Sequence, residues 1–271
     1  MSCVLNTANA QVENDVNNPS FAKPILEFLT SIRGQFSIME TDVLGNLFLI
    51  QEGQLKKISP SGDTIAVYND VKRFGQPTSV DATNPFKTLL YYKPYSTIVI
   101  LDNMLAVRGV INLRKNGIFN PTAIGTSYDN KLWVFDDKEF KLKKLNDENR
   151  VLFESTDLRL LTGKAPVPQQ LFDSEGKVYL YDSLMGFIVL DYYGAYEKTL
   201  HLMNWHSVNV RENRLSGIRN DSLLLYTLKT PNIKEYPLPT SLEGALSASR
   251  AGDKLYIRKR NRIDIYKINL N

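Results

Sequence analysis

With 271 residues, 43% hydrophobic and 23% charged, the chain has the composition of a globular domain rather than a disordered one. Its 33 Lys and Arg against 29 Asp and Glu leave a net charge of +4, too mild for the basic stripe of a dedicated nucleic-acid binder. One cysteine, Cys3, rules out an internal disulfide, and no apolar run reaches the ~18 residues that a membrane-spanning helix needs.

The chain opens with Ala8-Asn9-Ala10 before Gln11, a small-x-small site of the kind signal peptidase cuts. The charged and apolar regions that normally precede such a site are missing. This pattern predicts that residues 1–22 are a truncated signal-peptide remnant and flexible tail, that residues 23–271 form a single domain, and that the protein is exported to the periplasm.

From there the chain repeats one phrase six times: a turn of Asp, Asn, Gly or Ser, a β-rich apolar run, a gap, and a second apolar run. The first runs begin at Leu47, Leu89, Leu132, Val178, Leu223 and Leu255, giving spacings of 42, 43, 46, 45 and 32 residues. A strand-rich period of roughly 40–50 residues marks a β-propeller with one four-stranded blade per repeat. Leu47–Ile50, Leu89–Tyr92, Leu132–Phe135, Val178–Tyr181, Leu223–Tyr226 and Leu255–Ile257 are expected as second strands, covered on both faces by neighbouring blades. Third strands such as Phe140-Lys141-Leu142-Lys143 alternate, which predicts one wet face.

The sixth repeat ends after three strands, whereas residues 24–32 precede the first repeat with none of their own. The economical arrangement is an all-β, six-bladed propeller in which this N-terminal strand completes the last blade, closing the ring. Seven blades would need a further repeat.

Blade geometry places the first-to-second and third-to-fourth turns on one face, where they are short and structural. The opposite face collects the second-to-third loops and the inter-blade links, of which 156–168 is the longest. Arg73, Phe74, Tyr95, Phe119, Trp205, Arg258 and Arg260 all fall there. Aromatics and arginines dominate binding hot spots, so this rim is the candidate protein-binding surface. Arg258, Arg260 and Arg262 alternate along one side of a hairpin and could instead meet an anion or lipid headgroup, peripheral to a membrane at most.

Signals for catalysis are weak. His201 and His206 lack the helical i, i+4 spacing of a zinc pair. Asp136, Asp137 and Asp182 sit beside second strands and could reach an axial cation, but turn aspartates are the simpler reading. No nucleophile elbow, phosphate loop or Cys–His couple is present. No cofactor and no metal site is expected.

The repeat over residues 24–271 resembles the six-bladed propellers of the NHL and gluconolactonase type, without the Trp-Asp signature of the other large propeller family. That resemblance alone would imply a metal-dependent hydrolase or lactonase, yet the acidic axial ligands are not evident. The stretch from Pro77 through Leu89-Leu90-Tyr91-Tyr92 to Ile98-Val99-Ile100-Leu101-Asp102-Asn103 resembles exported propeller-like proteins of bacteria with a type 9 secretion system. It implies a non-enzymatic periplasmic accessory or plug subunit of an outer-membrane translocon.

Overall fold

The computed structural model describes residues 25–211, 213–238 and 244–269. The expected signal remnant and tail, residues 1–22, lie outside the described residues. The described residues form six antiparallel four-stranded sheets. Blade 1 comprises β2 (Ile38–Thr41), β3 (Leu47–Gln51), β4 (Gln54–Ile58) and β5 (Thr64–Tyr68). Blade 2 comprises β6 (Ser79–Asn84), β7 (Lys87–Tyr92), β8 (Thr97–Leu101) and β9 (Val107–Asn112). Blade 3 comprises β10 (Pro121–Thr126), β11 (Leu132–Asp136), β12 (Lys141–Leu145) and β13 (Val151–Glu154). Blade 4 comprises β14 (Gln170–Ser174), β15 (Lys177–Asp182), β16 (Gly186–Asp191) and β17 (Tyr196–Leu200). Blade 5 comprises β18 (His206–Arg211), β19 (Arg214–Arg219), β20 (Ser222–Thr227) and β21 (Asn232–Pro237).

Blade 6 is built from both ends of the domain. It runs β22 (Ser247–Ala251), β23 (Lys254–Arg258), β24 (Arg262–Asn269) and then β1 (Ile25–Arg33). The expected closure is therefore present: β1 pairs antiparallel with β24 from Leu26↔Ile268 to Arg33↔Arg262. The six inner strands touch in ring order, β2–β6–β10–β14–β18–β22 and back to β2, around a central channel.

Burial follows from this radial stacking. Each pair of adjacent blades shares one apolar cluster, so the core is six wedges instead of one centre. Between blades 1 and 2, for example, Phe48 and Ile50 pack against Leu90, Tyr92 and Val99. A blade isolated from its neighbours would expose both of these faces, which is why the ring must close. β7 and β11 are buried along their whole length, as the unbroken apolar runs predict.

Two strand readings need correction. In blade 5 the run at Leu223 is the third strand, not the second, and Ile233–Tyr236 belongs to the fourth. The true second strand, β19, reads Arg-Leu-Ser-Gly-Ile-Arg and lacks an apolar run. Counting from its Leu215 replaces the odd spacing with 37 and 40 residues. In blade 3, β12 is not wet on one face: Lys143 and Lys144 are both buried. Lys143 Nζ meets Asp136 Oδ2 and Glu139 Oε2, each at 2.8 Å. Lys144 Nζ meets Asp129 at 3.0 Å and lies over the Trp133 ring at 5.0 Å. Lysine stems cover apolar surface while their ammonium groups find partners, so an alternating pattern can still be buried.

The short turns share one device. Asp42 Oδ1 accepts from the backbone N–H groups of Leu44 and Asn46, and Asp102 and Asp191 do the same two and four residues onward. The fourth residue of these turns is left-handed: Gly45 and Gly194 supply it at no steric cost, whereas Leu105 adopts φ 58° as a buried leucine.

Candidate functional site

The strand directions place two surfaces on the molecule. The lower face carries the first-to-second and third-to-fourth turns; the upper face carries the second-to-third loops and inter-blade links. All seven rim residues expected from sequence belong to upper-face segments, but they do not form one exposed set.

Phe74 is only 8% exposed; it closes the short helix α1 (Val71–Phe74) and packs on Tyr92 at 5.1 Å. Trp205 is 3% exposed and joins the wedge between blades 4 and 5. These two side chains cap blade ends and present no contact surface. Arg258 is half-buried and structural: its Nε donates to Ser247 Oγ and its Nη1 to the Phe36 carbonyl, both at 2.9 Å. Arg73 lies exposed over the Phe74 ring at 4.6 Å. Tyr95 and Phe119 stand about half exposed, Phe119 beneath Lys138 Nζ at 5.7 Å, and Arg260 is exposed. Ser96 ties these two aromatic loops together by donating its hydroxyl to the Phe119 carbonyl.

An upper-face feature without a sequence signal lies on blade 4. Val167, Leu184 and Met203 are exposed aliphatic side chains from three separate segments, Leu184 at 77%. Hydrogen bonds hold those segments together. Asp182 Oδ2 accepts from the Val167 N–H and Oδ1 from the Leu184 N–H, both at 2.8 Å. The Ser183 carbonyl accepts from the Asn204 N–H at 2.8 Å. Beside them, the helix α2 (Leu158–Thr162) exposes Leu160 and Leu161. Asp182 thus organises an apolar plateau and does not face the axis. Asp136 is likewise committed to Lys143, and Asp137 to the Asn120 amide at 2.6 Å.

The lower-face turns, expected to be purely structural, also expose Val43, Leu44, Phe86, Met104, Tyr128 and Tyr193. Val43, Leu44, Met104 and Tyr193 ride on the capped turns described above, and the exposed tips are spread over blades 1 to 4.

The second candidate site is the channel. Its lower chamber, about 390 Å³, includes Glu40, Asp81, Gln170, Asn209 and Arg211 on the inner strands. The upper chamber, about 340 Å³, shares Glu40 and Asn209 and adds Arg250 and Arg258. Arg211 reaches from blade 5 past blade 6 to blade 1, donating from Nη2 to the Thr41 carbonyl at 3.0 Å. The Glu40 carboxyl has no hydrogen-bond partner among the described residues. Burial first, and the nearby Asp81 second, push its pKa up to about 8 against the opposing pull of Arg211. Among the described residues no three His, Cys, Asp or Glu side chains gather to hold a metal ion. His201 and His206 are exposed and unclustered; partial burial lowers the His206 pKa, against a weaker pull from Asp221.

No protein-family model matches the chain, and no curated protein matches it. Solved structures do match in fold. The Pan2 WD40 domain of Neurospora crassa superposes with a TM-score of 0.64 at 9% identity, over 91% of this chain and 96% of that one. A streptogramin B lyase structure gives 0.59 at 14% identity, covering 85% and 78% respectively. A catalytically inactive virginiamycin B lyase from Staphylococcus aureus, with quinupristin, gives 0.60 at 10% identity over 90% and 99%. At such identities the likeness extends to the β-propeller fold and no further.

Proposed function

We propose that this chain is a non-enzymatic, protein-binding propeller of the periplasm, an accessory or plug subunit of an outer-membrane translocon of the type 9 kind. The observation that supports binding most directly is the blade 4 plateau. Val167, Leu184 and Met203 project from segments whose backbones are locked to Asp182 and Ser183. Aliphatic groups held rigid and open to water lose little entropy when a partner covers them. Tyr95, Phe119 and Arg260 extend the same face. The compartment and the translocon rest on Ala8-Asn9-Ala10 and on the resemblance of residues 77–103.

The test is site-specific photo-crosslinking in the native cell, with the probe at Leu184 and, for contrast, at Lys198 on the outer strand of blade 4. The reading expects one reproducible membrane-protein adduct from Leu184, absent from Lys198 and lost in L184D/M203D. Equal adducts at both positions, or none, would overturn it. Purified protein that carries a stoichiometric divalent metal and opens a lactone would replace it with the hydrolase reading.

A further inference from the structure

We propose that the channel, where its two chambers meet at Glu40, binds a ligand through an oxyanion, a carboxylate or a phosphate, held by Arg211 from the lower chamber and Arg250 from the upper one, with Glu40 donating a further hydrogen bond. This site is separate from the protein-binding plateau and does not depend on it.

Two guanidinium groups that form no ion pair among the described residues mark the channel. Arg211 uses Nη2 on the Thr41 carbonyl and hydroxyl, at 3.0 and 3.3 Å. Its other nitrogens have no hydrogen bond, and no carboxylate forms an ion pair with it, among the described residues. Arg250 uses Nε on the Gly252 carbonyl at 3.0 Å and likewise has no ion pair among them. Burial lowers the pKa of both guanidinium groups; Asp42 and then Glu40 pull that of Arg211 back up while Arg250 repels it, and Arg214 repels Arg250 against the pull of Asp253. Half-buried cations without an ion pair are only partly solvated, so the cluster favours an anion that can enter.

The neighbouring acids do not meet this demand. Asp42 attracts Arg211 through space, but its oxygens accept from the Leu44 and Asn46 N–H groups and the Asn46 amide and form no ion pair with it. Asp81 accepts from the Thr83 N–H and hydroxyl and from the Thr126 N–H. Asp173, on the far wall, accepts from Ser127, Tyr128 and the Trp133 indole through Oδ2. Asp253 acts on Arg250 from the turn outside β22. Glu40 stands closest in role to a counter-ion, yet burial and Asp81 keep it protonated near neutral pH. A protonated carboxyl is a donor, so Arg211 and this O–H line the lower chamber while Arg250 lines the adjoining upper chamber that shares the same carboxyl, each of ligand-sized volume. Guanidinium forks match carboxylate and phosphate oxygens in geometry as well as charge.

As pH rises through the Glu40 titration the donor is lost and a competing negative charge appears beside Arg211. Anion affinity therefore falls toward alkaline pH.

The test is calorimetric titration of the full chain with inorganic phosphate and, separately, with citrate, at about pH 6 and about pH 9, on either side of that titration. Saturable binding of at least one probe is expected, and which one binds separates a phosphate from a carboxylate ligand. R250M should weaken it about tenfold or more, the loss of one charge-assisted contact. R211K keeps a cation able to reach Thr41 and should weaken binding while the protein stays folded. E40Q should retain affinity at the lower pH and flatten the decline toward the higher one. No saturable binding of either probe at millimolar concentration, or binding unchanged in R250M, overturns the site. A decline just as steep in E40Q overturns the part assigned to Glu40.

Discussion

Ser31 donates its hydroxyl to Asp264 at 2.6 Å across 233 residues of sequence, joining the first described strand to the last. The same carboxylate accepts from Arg262 Nε at 2.8 Å and pairs with Lys259 Nζ at 3.4 Å. Asp264 is 3% exposed, so a single buried carboxylate sits where β1 seals the ring. Burial alone would raise its pKa, but Ser31, Arg262 and Lys259 outweigh burial and hold it below the usual carboxylate range.

The first prediction concerns that latch. Because the folded-state pKa is depressed, Asp264 contributes stability above the unfolded value of about 4, and the contribution disappears as pH falls through the folded value. D264N should lower stability near neutral pH by about 2 kcal/mol or more. It should also lose less than the parent on acidification below about pH 4. Denaturant titration at the two pH values checks both, and equal acid losses in the two proteins would contradict the assignment.

The second concerns tethers from one blade to the entry of the next. Tyr181 OH donates to the Trp205 carbonyl at 2.7 Å and accepts from the Trp205 N–H at 2.6 Å. Tyr91 OH, from the corresponding strand of blade 2, donates to the Pro121 carbonyl at 3.0 Å. Y181F strands two buried backbone groups and should cost about 1–3 kcal/mol, read as a shifted midpoint with an unchanged slope. Y91F strands only one and should cost less.

Lys143 supplies the third. Burial works against its charge, yet its bonds to Asp136 and Glu139 raise its pKa overall. K143M leaves the buried Asp136 carboxylate without its cation and should cost about 3–5 kcal/mol. K143M/D136N removes that stranded charge while an amide oxygen can still accept from the Lys138 N–H, now at 3.1 Å from Asp136. The double variant should therefore be more stable than K143M alone, and thermal melts of the single and double variants decide it.

How far the sequence could be read follows from what each signal depends on. Period and turn chemistry are local, so the six blades, the two faces and the closing role of the strand before the first repeat were legible in the chain itself. Blade 5 misled because Arg214–Arg219 forms a second strand with only Leu215, Gly217 and Ile218 buried, leaving Leu223 as the first visible run. At the candidate sites the limit was side-chain direction. Phe74 and Trp205 look like loop aromatics in sequence, but fold inward onto Tyr92 and Phe187. Leu184 and Val167 lack a compositional mark, since their proximity comes from hydrogen bonds to one aspartate. Glu40, Arg211 and Arg250 meet only when strands from blades 1, 5 and 6 converge on one axis.

Glu40 supplies the fourth prediction, independent of any ligand. Its folded-state pKa of about 8 lies above the 4.5 of a free glutamate, so the folded chain binds this proton more tightly than the unfolded chain. The stability linked to that proton is fully present below about pH 4.5 and is lost progressively up to about pH 8. E40Q keeps a neutral side chain of the same shape and does not titrate. Its melting temperature should match the parent's near pH 5 and exceed it at about pH 9, by several degrees on the scale of a domain this size. A second variant separates burial from repulsion: D81N removes the second cause of the shift and leaves the first, while its amide oxygen can still accept from Thr83. The D81N protein should therefore show a smaller alkaline loss than the parent and a larger one than E40Q. If the parent and E40Q lose stability in parallel between about pH 5 and 9, Glu40 is ionised throughout that range and the channel has no neutral carboxyl.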